Sequence, residues 1–244
     1  MIWKLLFAHF LTDFVFQSFE IATNKHDYKK VLLHVFVFFA LSILFFVCEL
    51  SLTKILVFLL LSASHGIVDY LKTKLLNEKL KKFGYLFFII DQIIHISLLS
   101  GATVYISQSR IDLLSIYSIF TNINIWSYLS IIIVVLFGGS FFTESVLSSF
   151  HPENDDVKID KLGRVIGVFE RILIMFAIFT TTYSLIGLVI AAKSAARFKS
   201  IKDDSDLTSE KFIVGTFSSV TWAIVFTYLL QLLSEFTIII SNMV

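Results

Sequence analysis

Ionisable side chains recur at a regular spacing inside the apolar first hundred residues of the chain. The groups are three aspartates and four histidines: His9, Asp13, His34, His65, Asp69, Asp91 and His95. A charged group in hydrocarbon costs several kcal/mol unless it pairs, binds a metal ion or lines a wet cavity. The pattern therefore restricts the chain to folds that bring these groups together, and it predicts a functional site.

The composition indicates that these groups are surrounded by a membrane. Apolar residues make up 57% of the 244 residues, charged residues make up 16%, and the mean hydropathy is +0.84. Soluble domains carry about 25% charged residues, so we expect an integral membrane protein whose main partner is the lipid bilayer. The single cysteine, Cys48, excludes an intramolecular disulfide and a thiolate zinc site. The net charge of +1 gives no support to nucleic-acid binding.

The apolar stretches are long enough to be transmembrane helices, which need about 20 mostly apolar residues. They lie at 3–22, 31–50, 54–72, 84–107, 125–148, 165–193 and 212–240. Their periodicity is helical, and none alternates as a barrel strand would. The sequence predicts an all-α polytopic transmembrane helix bundle with about seven membrane segments. We expect residues 1–107 to form a four-helix bundle that carries the site, and 108–244 to pack on it within the same domain.

Lysine-rich connectors predict the orientation of this bundle. The loops at 24–30 and 72–83 together carry eight lysines, whereas the connector between the second and third segments is nearly neutral. The positive-inside rule places those two loops in the cytoplasm and the N-terminus outside. Continued alternation places the charged stretch 194–211, with its arginine and three lysines, outside, which conflicts with the rule. Three threonines at 180–182 leave three alternatives for 165–193, namely one segment, a re-entrant hairpin or two half-helices.

The reversed order of the third His/Asp pair matches this topology. Residues four apart on a helix share a face, so each pair presents one imidazole and one carboxylate together. The first and third segments run in one direction and the fourth runs opposite, so the reversal aligns all the carboxylates. At about 1.5 Å per residue, Asp69 and Asp91 lie roughly 5–12 Å from the cytoplasmic helix ends. The sequence predicts two tiers in the inner half of the membrane: Asp13, Asp69, Asp91 and His34 in one, and His9, His65 and His95 in the other.

Mixed imidazole and carboxylate groups are ligands for transition metals. They suit zinc best, with manganese or iron as alternatives, and seven groups exceed the four ligands that one zinc needs. We therefore expect one or two divalent ions. Gln17, one turn beyond Asp13, and Gln92, next to Asp91, are candidate donors to the ligating carboxylates. Two alternatives remain, a metal-free proton or ion relay and a buried network that only fixes helix packing.

Other charged and small residues have simpler interpretations. Lys72 and Lys74 either attract an anionic headgroup or anchor a helix end at the inner surface. Glu170 and Arg171 are adjacent and so point about 100° apart on a helix, which predicts partners on different helices. Glycines at 138–139 indicate a kink or a close approach in the fifth segment.

The motifs that hold the His/Asp pairs resemble those of a known family. Residues 8–17, 65–72 and 91–95 read AHxxxDFxxQ, HxxxDxxK and DQxxH. These are similar to the hallmark motifs of an uncharacterised family of bacterial integral membrane proteins, defined as a domain of unknown function. Residues 163–198 also resemble its longer members. The resemblance implies a bacterial inner-membrane protein but brings no activity, so the functional hypothesis depends on the residues.

Three functions are compatible with these features. The first is an intramembrane metal-dependent enzyme, a hydrolase or transferase whose metal activates water against a lipid-linked or membrane-embedded substrate from the cytoplasmic leaflet. An anionic headgroup is a candidate part of that substrate. The second is a metal-ion or proton-coupled transporter that uses the same groups as a transient site. The third is a non-catalytic membrane partner whose charged loops recruit a cytoplasmic protein.

Overall fold

The computed structural model describes residues 1–17, 28–76, 80–107, 124–150, 161–203 and 206–241. These described residues form eight helices and none of them lies in a strand, which confirms the all-α prediction. The first four helices are α1 Ile2–Phe10, continued by a π-helical turn Leu11–Phe16, α2 Tyr28–Phe45, α3 Leu52–Leu75 and α4 Gly84–Ile106. The other four are α5 Ile125–Phe150, α6 Lys161–Phe179, α7 Ser184–Asp203 and α8 Asp206–Ser241.

Four stretches of helix in the described chain are long and apolar enough to cross a membrane. They are α3, α4, α5 and the part of α8 at Ser209–Leu232. Large apolar side chains cover the outside of the bundle, as at Leu60, which is 69% exposed, and Leu32, which is 66% exposed. Charged groups lie in the interior, the reverse of a soluble protein. This distribution is that of an integral membrane protein.

Helix α1 is short and lies in the centre of the N-terminal half. Leu5 and Ala8 are completely buried, and Ile2 and Leu6 are nearly so. Helices α2, α4 and α5 pack around α1, as expected for a helix that is apolar on all sides. The predicted first segment extended to residue 22, but residues 18–27 lie outside the described ranges. The central position of α1 carries His9 and Asp13 into the middle of the bundle.

Of the three alternatives for 165–193, the structure excludes one continuous segment, because the chain forms two helices there. Helix α6 ends at Phe179, and Thr181 adopts a φ of 55°. Such a left-handed residue just beyond a helix stops it, and the N–H of Thr182 then donates to the carbonyl of Ala177 at 2.8 Å. The break at the threonines therefore makes α6 and α7 a helical hairpin, and the predicted count of seven segments becomes eight helices.

The hairpin of α6 and α7 determines at which end of the bundle the later helices begin and end. The amide of Tyr85 donates to Ser149 Oγ at 3.3 Å, which joins the start of α4 to the end of α5. Gly215 lies against Leu147, which brings the start of α8 to the same place. The ends of α3, α5 and α7 and the starts of α4, α6 and α8 therefore share one end of the bundle. We call it the lysine-rich end because it adjoins the stretches 72–83 and 194–211, which together carry eight lysines and of which the structure describes only part.

Two π-helical turns pack against each other beside α1. One is Leu11–Phe16, and the other is Val134–Gly138 within α5. A Cβ on Gly138 would lie 3.2 Å from the ring of Phe14, so the glycine permits this approach. A π turn displaces the residues that follow it and releases backbone carbonyls, and such turns occur often at functional sites. Here the first π turn contains Asp13.

Candidate metal centre

The seven predicted groups meet where α1, α2, α3 and α4 pack together. Their exposed fractions range from 1% for His9 and Asp69 to 5% for Asp13. Each helix contributes through the spacing read in the sequence, because His65 and Asp69 share one face of α3 and Asp91 and His95 share one face of α4. Helix α4 runs antiparallel to α3, so the reversed order of its pair brings like groups to the same depth.

The carboxylates lie close to imidazole nitrogens of neighbouring helices. Asp13 Oδ1 is 3.2 Å from the Nε2 atoms of both His34 and His65. Asp69 Oδ2 is 3.3 Å from His34 Nε2, and Asp91 Oδ1 is 3.5 Å from His95 Nε2. Helices α2 and α3 thus both direct imidazole nitrogens at Asp13. His65, which was predicted in the other tier, lies as close to Asp13 as His34 does, so the division into two tiers stays a prediction.

Several imidazoles also face one another through ring nitrogens. His65 Nε2 is 2.8 Å from His34 Nε2, and His65 Nδ1 is 3.2 Å from His95 Nδ1. A neutral imidazole has one N–H donor, so His65 cannot donate through both nitrogens at once. At least one of the two nitrogens of His65 therefore carries a lone pair, and imidazole lone pairs are ligands for transition metals.

His9 gives the clearest sign that the cluster holds a ligand. Its side chain is 1% exposed, and neither ring nitrogen has a hydrogen-bond partner among the described residues. Its nearest carboxylate oxygen is Asp13 Oδ2 at 3.7 Å, and its ring contacts the rings of His65 and His95. Buried polar groups are normally hydrogen-bonded, and those that are not require an explanation. A bound cation would supply one.

The spacing of the donor atoms fits a metal ion. Three overlapping groups have donor atoms within 4.8 Å of one another: His9, Asp13 and His65; His34, His65 and Asp69; and Asp13, Asp91 and His95. Ligand atoms lie about 2.0–2.2 Å from zinc, so two ligands of one ion lie at most about 4.4 Å apart. Each group therefore needs only small side-chain movements to hold an ion.

Gln92 and Lys72 flank the cluster at its lysine-rich side. Gln92 Nε2 donates to Asp91 Oδ2 at 3.3 Å and lies 3.4 Å from Asp13 Oδ2. Lys72 Nζ is 2.8 Å from Asp91 Oδ2. Gln92 therefore occupies the position predicted for a donor to a carboxylate. Gln17 is also buried, immediately after the first π turn, and its role stays a prediction.

Lys72 was not predicted to belong to the His/Asp site, because lysines at helix ends usually anchor membrane proteins at the membrane surface. The available signal was its spacing, three residues after Asp69 and seven after His65, which places it on the same face of α3. Lys74 lies off that face and is exposed. The site therefore includes one more turn of α3 than His65 and Asp69 alone indicate.

Comparison with known proteins places this cluster in a defined domain. The family described as "Protein of unknown function (DUF3307)" matches residues 1–126, which is more than half of the chain. The chain belongs to this family. The DUF3307 match includes α1–α4 and therefore all seven candidate ligands. Neither the curated proteins nor the solved structures contain a match to the chain.

The helices beyond the DUF3307 match bury a second set of charges around Arg171. This guanidinium is 2% exposed. It donates to the Leu136 carbonyl from Nε at 2.9 Å and from Nη2 at 2.6 Å. It also donates to Ser140 Oγ at 2.6 Å and to Ser219 Oγ at 2.9 Å. The guanidinium thus joins α5, α6 and α8.

The second π turn provides acceptors for this network. Val134 and Leu136 lie in that turn, and the indole N–H of Trp222 donates to the Val134 carbonyl at 2.9 Å. A Cβ on Gly139 would lie 2.8 Å from Trp222 and 2.9 Å from Arg171, so the glycine allows both side chains to approach. The close approach predicted from the paired glycines is therefore present.

Glu170 and Arg171 bond to different helices, as their angular separation predicts. Glu170 Oε2 accepts a hydrogen bond from Lys193 of α7 at 2.7 Å. Glu144 of α5 similarly accepts from Arg164 of α6 at 2.9 Å. These contacts do not connect either glutamate to the His/Asp cluster. Glu144 and Glu170 thus each form an ion pair with a neighbouring helix, and these pairs hold the helices together.

Proposed function

We propose that the protein is an intramembrane metal-dependent enzyme. The His/Asp cluster of α1–α4 would bind a divalent transition metal, with zinc as the first choice and manganese or iron as alternatives. The observation that carries this proposal is the convergence of seven buried donor groups, including a histidine whose ring nitrogens have no hydrogen-bond partner among the described residues. Such a set stabilises a cation and is costly without one.

The chemistry that we propose is hydrolysis or group transfer on a lipid-linked or membrane-embedded substrate. A metal ion held by imidazole and carboxylate lowers the pKa of bound water and so supplies a nucleophile at neutral pH. The cluster has more donors than one zinc needs, so one of its carboxylates is available as a general base. Gln92 would orient those carboxylates through its amide.

We further propose that the substrate reaches the centre from the cytoplasmic leaflet of a bacterial inner membrane. The lysine-rich end adjoins the stretches 72–83 and 194–211, and the positive-inside rule, which counts lysines and arginines, assigns such an end to the cytoplasm. With α6 and α7 as separate helices, the stretch 194–211 belongs to the same end as 72–83, so the earlier conflict disappears. Asp69 lies six residues before the end of α3, or about 9 Å from it along the helix.

Elemental analysis of the purified full-length protein tests the proposal. The expected result is at least one tightly held transition-metal ion per chain, lost in Asp69→Asn and retained in Ser62→Ala. Ser62 is a matched control because it is buried on α3 and, among the described residues, its hydroxyl bonds only to the Phe58 carbonyl of its own helix. A wild-type protein that remains metal-free after incubation with Zn²⁺, Mn²⁺ and Fe²⁺ would contradict the proposal.

A transporter is the second candidate, because the same groups would also hold an ion in transit. Metal uptake into proteoliposomes that stops in Asp13→Asn would favour it over the enzyme. Normal folding and cellular function of a variant in which all three aspartates are changed to asparagine would leave only a structural role.

A further inference from the structure

Lys72 brings a fixed positive charge into the cluster. Its ammonium lies 2.8 Å from Asp91 Oδ2 and 5.6 Å from the centre of the Phe88 ring, and its side chain is 25% exposed. The aromatic face and the carboxylate both stabilise a cation at this position. Lys72 therefore occupies the side of Asp91 that a second metal ion would otherwise use.

The two oxygens of Asp91 have different surroundings. Oδ2 accepts from both Lys72 and Gln92, at 2.8 Å and 3.3 Å. Oδ1 lies 3.5 Å from His95 Nε2 and has no hydrogen-bond partner among the described residues. Asp91 thus has one oxygen available for a metal ion and one that is already bonded. Asp91 therefore cannot bridge two ions through both of its oxygens while Lys72 and Gln92 hold Oδ2.

The charges of the cluster lead to the same conclusion. Three aspartates and Lys72 leave two uncompensated negative charges, because ligating histidines are neutral. One divalent ion neutralises them, whereas a second would leave two excess positive charges in a low-dielectric interior. Uncompensated charge in such surroundings costs several kcal/mol. The charge balance therefore favours a single divalent ion.

We propose that the centre holds one divalent metal ion and that Lys72 serves as its built-in second cation, fixing the metal stoichiometry at one. This inference rests on the proposed metal function and makes it more specific, since the number of donor groups alone allowed one or two ions. Lys72 is thus a positioning residue that neutralises Asp91 and keeps its Oδ1 directed at the metal site.

The test is metal counting on the full-length protein in detergent, saturated with Zn²⁺ and then dialysed. The wild type is expected to hold one Zn²⁺ per chain. Lys72→Glu removes the internal cation and adds a carboxylate, so two ions become necessary for neutrality and the stoichiometry is expected to double. Lys74→Glu makes the same charge change on an exposed neighbouring residue and is expected to leave it at one.

The possible outcomes separate this inference from the proposed function. A wild type without metal overturns both. Two ions in the wild type, or one ion in a folded Lys72→Glu protein, overturn only the role of Lys72. If Lys72→Glu does not fold, the number of Zn²⁺ ions per wild-type chain still tests the inference. Lys72→Arg keeps the positive charge and is expected to bind one ion. A count of two in Lys72→Arg would contradict the inference.

Discussion

The two halves of the bundle both bury charged groups, but they arrange them in opposite ways. In α5–α8, Arg171 donates four hydrogen bonds to a carbonyl and two hydroxyls. In α1–α4, imidazole nitrogens face imidazole nitrogens, and His9 has no hydrogen-bond partner among the described residues. A satisfied network stabilises helix packing, whereas a convergent set of like donors needs a ligand. The difference distinguishes a structural polar cluster from a candidate functional one.

This contrast predicts that the two clusters respond differently to mutation. Removing a member of the Arg171 network leaves buried groups unsatisfied, so the free energy of unfolding should decrease. Removing a carboxylate from the His/Asp cluster removes a metal ligand, so metal binding should weaken. It also reduces the repulsion among like charges, so the stability of the metal-free fold should not decrease. The following predictions run from the largest expected effect to the smallest.

Asp69→Asn should weaken metal binding more than any change outside the cluster. Loss of one charged ligand is expected to reduce Zn²⁺ affinity by more than about 100-fold, the upper range for changes in residues that merely support a ligand. Competition with a chelator of known affinity measures this loss. The metal-free variant should unfold at the same or a higher temperature than the metal-free wild type. A metal-free variant that is strongly destabilised would mean that the cluster is structural.

Arg171→Met should show the opposite behaviour. Removing the guanidinium leaves buried acceptors without a donor, and each one is expected to cost about 1–3 kcal/mol of unfolding free energy. Denaturant unfolding in detergent measures the cost, and Arg171→Lys, which keeps the charge but loses the bidentate contact with Leu136, should fall between the two proteins. The fraction that folds should hold as much metal as the wild type. Metal loss from that fraction would show that the two clusters are coupled.

Gln92→Ala should have an intermediate effect confined to the metal. Residues that hydrogen-bond to metal ligands typically contribute 10–100-fold to affinity, so Zn²⁺ binding is expected to weaken by about that factor. Gln17→Ala is the informative companion, because the sequence predicts the same role for that residue. Equal losses in the two variants would support both assignments, and an unchanged affinity in Gln92→Ala would remove Gln92 from the centre.

Glu49→Gln should have the smallest effect, because this residue lies at the opposite end of the bundle. Lys4 bonds to Glu49 at 2.7 Å, and this hydrogen bond lowers the pKa of the Glu49 carboxyl. The carboxylate therefore stabilises the fold above its ordinary pKa, and this contribution disappears as the pH falls through the lowered value. The side chain is 50% exposed, so the loss should be at most about 1 kcal/mol. Thermal unfolding of both proteins at neutral and acidic pH checks this, and metal content should not change.

Much of the site could be predicted from the sequence because helical spacing fixes which residues share a face. The His/Asp pairs and the reversed order on α4 placed their groups at matching depths without any knowledge of packing. Lys72 was not predicted, since its spacing was available but lysines near a helix end have a more common explanation as membrane anchors. Only the position of Asp91 on the neighbouring helix distinguishes the two.

The second half of the fold was harder to predict because its decisive features are local. The break between α6 and α7 depends on Thr181 adopting a left-handed conformation, which non-glycine residues rarely do. The π turns have no distinct sequence period, so the carbonyl of Leu136 was not recognisable as the acceptor for Arg171. Hydropathy identified the apolar stretches but could not divide 165–193 into two helices.

The central claim is that a metal ion lies among the side chains of α1–α4. A crystal structure of the Zn²⁺-loaded protein, with diffraction data collected at the zinc absorption edge, tests it most directly. We predict one anomalous peak within bonding distance of imidazole nitrogens and carboxylate oxygens of the cluster, about 2.0–2.2 Å from each ligand atom. The absence of a peak there in the loaded protein, or a zinc ion bound only elsewhere, would contradict the account.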